Sequence, residues 1–138
     1  MKKYKIGYTA GVYDLFHIGH LNLLKHAKEL CDYLIVGVNS DNLVLKYKEK
    51  LPVIREDDRL NIVKAIRFVD EAFIVDTLDK TEILKQRHFD VVFIGSDWKG
   101  NPRWLQTEND LAKLGVDVVY LPHTHGISTT YIKNKINK

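Results

Sequence analysis

Five short apolar runs alternate with longer stretches of helical period from one end of the chain to the other. Residues 5–10, 33–39, 71–75, 90–95 and 117–121 read as strands. The central runs, such as Val91-Val92-Phe93-Ile94, are apolar without alternation. That is the pattern of strands covered on both faces of a parallel sheet. Helices are predicted over residues 19–31, 56–67, 79–86, 102–114 and 128–136. In the first, His20, Leu24, Ala27 and Cys31 fall on one stripe. In the second, Leu60, Val63 and Arg67 share a face with Ile62 and Ile66 beside it. Pro102 suits the first turn of the fourth helix, and Gly115 suits its C-terminal cap. Strict alternation implies right-handed crossovers and one α/β domain over residues 1–138, a three-layer sandwich around a five-stranded parallel sheet. Ligands of such sheets bind beyond the carboxyl ends of the strands, where the strand order reverses. The loops after the first, second, fourth and fifth strands carry the unusual residues.

Composition narrows the picture little. The 138 residues suit a single core, and 45% hydrophobic with 28% charged residues is ordinary for a soluble domain. No apolar run approaches the roughly 20 residues of a membrane helix. The opening residues carry no signal-like apolar segment. The lone cysteine, Cys31, cannot form an internal disulfide and is expected to be buried. A cytoplasmic location is expected, with no membrane partner. The net charge of +3 suits a small polyanion as well as RNA. No interleaved aromatic and basic stripes are present, so nucleic acid is not expected as a partner.

The chemistry concentrates in a few segments. His17-Ile18-Gly19-His20 opens the first helix. Two imidazoles three residues apart there project the same way, beside free amides that attract phosphate. They read as a surface pair or as donors to a reacting phosphate. Gly11-Val12-Tyr13-Asp14-Leu15-Phe16 precedes them and favours the second reading, because Gly11 permits close backbone approach and Asp14 is a natural turn or cap acceptor. In Lys46-Tyr47-Lys48-Glu49-Lys50 three lysines alternate, so an extended loop would aim them to one side. A solvated lysine loop is the plain alternative. Arg67 on an apolar face either snorkels or forks onto a substrate phosphate. Arg59 does the same or pairs with Glu56. Two glycines bracket the loop Gly95-Ser96-Asp97-Trp98-Lys99-Gly100. In Pro122-His123-Thr124-His125-Gly126-Ile127-Ser128-Thr129-Thr130, Ser128 can cap the last helix while hydroxyls and amides cradle phosphate. The histidine pairs have no thiolates or carboxylates to complete a zinc shell, so no metal is expected on protein side chains.

Taken in order, these segments resemble the cytidylyltransferase-like nucleotidyltransferases, whose fold is Rossmann-like. The resemblance runs from Gly11 to Thr130. The Gly95–Gly100 loop is similar to the Gly-Asp-Asp-Trp-x-Gly of the glycerol-3-phosphate cytidylyltransferases within that family, with Ser96 departing at the first Asp. His123 departs at a position where the family often has Arg. The resemblance implies transfer of a cytidylyl group from CTP to sn-glycerol 3-phosphate, giving CDP-glycerol and pyrophosphate. It implies catalytic roles for His17, His20 and Lys48. Nucleotide contacts are implied for Val12, Tyr13, Ile18, Gly19, Lys50, His123, Thr124, His125, Gly126, Ile127, Ser128, Thr129 and Thr130. Substrate contacts are implied for Arg59, Arg67, Lys80, Asp97 and Trp98, with Lys46 competing for the role of Lys48. Mg²⁺ on the triphosphate and a homodimer are implied too. Another polyol phosphate, or FMN with ATP, would use the same opening motif, and a non-catalytic nucleotide-binding module would keep the fold.

Overall fold

A computed structural model describes residues 3–137. Its strands are β1 (Tyr4–Gly11), β2 (Cys31–Asn39), β3 (Glu71–Val75), β4 (Val91–Gly95) and β5 (Asp117–Leu121). All four pairings are parallel, in the order β3-β2-β1-β4-β5. The helices are α1 (Ile18–Leu30), α2 (Asp41–Lys48), α3 (Glu56–Lys64), α4 (Lys80–Gln86), α5 (Pro102–Ala112) and α6 (Thr129–Ile136). Each sheet face is covered, as the unalternating strands require. One core joins Leu24 and Ala27 of α1 and Val63 of α3 to Leu34, Val36, Val91 and Phe93. The other joins Ile83 of α4 and Trp104 and Leu111 of α5 to Tyr8, Ile35 and Val92. The chain leaves the edge strand β3 and re-enters beside β1 as β4, so the order reverses between β1 and β4. The crevice at that reversal is where the site forms.

Three boundaries depart from expectation. Cys31 is not helical: its extended backbone closes α1 and opens β2 without a linker, and it is buried. The lysine loop is not extended. Ser40 caps α2 by accepting from the Leu43 amide at 3.1 Å, and Glu49 ends the helix at φ 62°. Lys46 and Lys48 therefore sit two residues apart on a helix and diverge. The third helix stops at Lys64 rather than at residue 67, because Ala65 to Val69 pass through tight turns. Arg67 consequently leaves the helix and is exposed, its guanidinium 5.1 Å from the Phe68 ring. Among the described residues no helix is long and apolar enough to cross a membrane.

Candidate active site

The two leading histidines are locked into α1 by its own amides. His17 is the N-cap, and its Nδ1 accepts from the Gly19 amide at 3.0 Å. His20 Nδ1 accepts from the His17 amide at 3.2 Å. The rings stack with centroids 3.8 Å apart. A Cβ on Gly19 would stand 2.8 Å from His17 Cε1, so this cap needs glycine. Burial, then the neighbouring His17, pushes His20 down to about 3. Burial lowers His17 as well. Both rings are thus neutral at pH 7, and with Nδ1 accepting, the hydrogen resides on Nε2. The pair offers two N–H donors without a like-charge clash. The loop feeding them is strained: Tyr13 and Leu15 have φ of 56° and 50° on either side of Asp14.

Asp14, 3% exposed, fixes that loop. Its carboxylate accepts from the amides of Val53 at 2.8 Å and Ile54 at 2.9 Å. Its carbonyl accepts from Thr129 Oγ1 at 2.8 Å, and Lys133 Nζ lies 3.8 Å from Oδ2. Asn22 Nδ2 donates to Thr124 Oγ1 at 3.1 Å, so α1 is tied to the loop before α6 and α6 to the loop before α1. Ser128 caps α6 through the Tyr131 amide at 3.0 Å. Gly126 supplies the turn before it at φ 83°.

These elements enclose one cavity of about 830 Å³. Val12 and Tyr13 after β1, His17, Gly19 and His20 at the start of α1, and Lys48 and Lys50 at the end of α2 line one side of it. Lys80, Asp97, Trp98, His123, Thr124, Ile127, Ser128, Thr129 and Thr130 line it from the others. Lys48 is pushed down by burial and then by Lys133, with Asp14 opposing. His123 Nδ1 lies 3.9 Å from Asp97 Oδ1 at the mouth.

Other nominated residues sit elsewhere. Ile18 is 53% exposed and, with Arg67, borders a separate shallow hollow on the outside of α1. Lys46, His125 and Gly126 do not line the cavity. Arg59 is fully buried, and its partner is Asp41 rather than Glu56. Its guanidinium donates to the carbonyls of Ile54, Val12 and Asn39 at 2.7–2.8 Å and to Asp41 Oδ1 at 2.6 Å. With those donors spent inside the protein, Arg59 is a strut beneath the cavity floor.

The geometry has counterparts in known proteins. The cytidylyltransferase-like family model matches residues 8–135. Glycerol-3-phosphate cytidylyltransferase of Bacillus subtilis is 39% identical over 129 residues, 93% of this chain and 94% of that protein. The chain belongs to the cytidylyltransferase-like family. FAD synthase of Pyrococcus abyssi is also similar, 37% identical over 118 residues, 85% of this chain and 80% of that protein. The crystal structure of a lipopolysaccharide core biosynthesis protein from Thermoplasma volcanium superposes with a TM-score of 0.71 at 27% identity, covering 88% of this chain and 97% of that one. As a family member the protein is a nucleotidyltransferase. Sequence reasoning missed several residues that line this cytidylyltransferase-like cavity, among them Arg103, Trp104, Lys133, Asn134 and Asn137. The last three continue the spacing of Thr130 at i+3, i+4 and i+7, a polar helical face that was legible. Arg103 and Trp104 follow the glycine loop with no motif to flag them.

Proposed function

We propose that this enzyme transfers the cytidylyl group of CTP to the phosphate of sn-glycerol 3-phosphate, releasing pyrophosphate. The observation that carries the reading is that the neutral histidine pair, Lys48 and the Ser128–Thr130 tip border one cavity. An acceptor phosphate is already nucleophilic at neutral pH, so the protein need supply only position and charge neutralisation for in-line attack on the α-phosphorus. His17 and His20 donate from Nε2 to oxygens of the reacting phosphates. Lys48 bridges donor and acceptor, while the Ser128 hydroxyl and the free amides at the tip of α6 hold the β- and γ-phosphates, the Thr129 hydroxyl being spent on the Asp14 carbonyl. Mg²⁺ carried by the triphosphate would supply partial neutralisation of its charge, and the described residues offer no ligand cluster of their own for it. Asp14, whose charge acts on His20, spends its oxygens on two amides, which fits an ion held by the nucleotide. His123 and Asp97 border the mouth and contact the nucleoside.

The similarity to FAD synthases favours a second reading, in which ATP and FMN are the substrates. Pyrophosphate release measured with CTP and glycerol 3-phosphate, beside ATP and FMN, separates the two. Turnover with the second pair alone overturns the first. Within the favoured pair, His20→Ala should keep the fold and lower kcat about 10²–10³-fold, as for other lost oxyanion donors. Wild-type turnover in that variant removes the histidines from the mechanism.

A further inference from the structure

The corner of the cavity beside the Gly95–Gly100 loop has an unusual charge arrangement. Lys80, at the start of α4, is 8% exposed, and its Nζ lies 5.4 Å from the centroid of the Trp104 ring. The Arg103 guanidinium lies 5.6 Å from the Trp98 ring. Neither cation makes an ion pair among the described residues. Lys80 has the Leu78 carbonyl at 3.2 Å, and Trp104 Nε1 has no acceptor. The corner is therefore rich in donors and short of acceptors. It also looks, on composition alone, like an aromatic cage for a cationic headgroup. It cannot act as one, because such a cage needs open π faces, and here each indole already faces a cation of the chain. A third positive charge would be repelled by the buried Lys80, with the exposed Arg103 adding to the repulsion from the rim.

We propose that Arg103 and Trp104, together with Lys80, form the subsite for the tail of the acceptor and select tails bearing uncharged or anionic oxygens over amino-alcohol tails. This rests on the cytidylyl-transfer reading above. The guanidinium fork and the ammonium give oxygen atoms of the tail their partners. A protonated amine in the same place is repelled and finds no free carboxylate lining the corner: Asp97 faces His123 at 3.9 Å, and Asp79, whose charge reaches Lys80, lies outside the cavity lining and caps α4 through Thr81.

The test compares glycerol 3-phosphate with phosphoethanolamine, both with CTP, in wild type, Arg103→Gln and Arg103→Glu. Arg103 is exposed, so these variants should fold, and their unfolding midpoints check it. Wild type should prefer glycerol 3-phosphate. Arg103→Gln should raise its KM about 10- to 100-fold, the loss of one charge-assisted hydrogen bond, and leave the KM for CTP unmoved. Arg103→Glu should narrow or reverse the preference. A change in the KM for CTP alone, or an unchanged preference in Arg103→Glu, overturns the subsite. If wild type uses FMN with ATP and neither acceptor with CTP, the transfer reading falls. The subsite is then judged by the KM of Arg103→Gln for FMN, upheld by a rise and overturned by no change.

Discussion

At the scale of single residues, neither arginine stands where its helix position led. The helical pattern put Arg67 on an apolar face and left Arg59 to a substrate phosphate or to an ion pair with Glu56, because both were read on one long helix. Ending that helix at Lys64 releases Arg67 and leaves Arg59 as the buried one. Its four partners come from three segments, at Val12, at Asn39 and Asp41, and at Ile54, which no helical spacing reveals. Arg59→Met should cost about 3–5 kcal/mol, as for other broken buried ion pairs, measured by urea unfolding. A variant that unfolds like wild type but has a raised KM would instead return Arg59 to the substrate. His20 gives a second prediction. Its folded pKa of about 3 lies below the ordinary 6.5. Between those values the unfolded chain takes up a proton that the folded protein refuses, so stability is lost as pH falls through that window. Unfolding free energy should therefore drop less between pH 7 and pH 5 in His20→Asn than in wild type. Parallel declines would mean that the ring is charged in the fold.

At the scale of elements, boundaries were legible where a cap or breaker stands in the sequence. Pro102 begins α5, and Gly115 follows it at φ 79°. Ser128 caps α6 as its position after Gly126 suggests. The element the pattern hid is α2, whose buried face is only Leu43 and Val44. Two apolar residues do not establish a period, and the lysines that follow read as a loop. Its consequence is that Lys48 and Lys50 reach the cavity while Lys46 does not. On the proposed reading the α6 cap has a double role, since the same hydroxyl that satisfies Tyr131 would order the amides offered to the triphosphate. Ser128→Ala should lower stability by about 1 kcal/mol and raise the KM for CTP, while Ser128→Asp keeps the cap but sets an anion beside the phosphates. The aspartate variant should therefore be nearly as stable as wild type yet bind CTP more weakly than the alanine variant. Equal CTP affinity in all three proteins would detach the helix tip from the nucleotide.

At the scale of the whole molecule, the sheet order does what no motif can. It carries α1, α2, α4, α5 and α6 to one end of the strands, and their charges meet there although they are scattered along the sequence. The alternation of strands and helices made that convergence legible, but which side chains finally face one another depended on where each helix starts and stops. The result is a cavity lined by Lys48, Lys50, Lys80, Arg103 and Lys133 against two carboxylates, Asp14 and Asp97, in a chain whose net charge is only +3. The positive potential is thus local, and it acts on a polyanion before contact as well as after. Because the screening length shrinks from about 10 Å at 0.1 M salt to about 3 Å at 1 M, binding of CTP should weaken steeply with added salt while kcat changes little. Lys133→Gln removes one of these cations, the one 3.8 Å from Asp14. It should raise the KM for CTP at low salt and flatten the salt dependence, so that variant and wild type converge as screening sets in. A constant ratio of the two KM values at every salt concentration would show that Lys133 acts by direct contact and that the field of the cavity contributes nothing to capture.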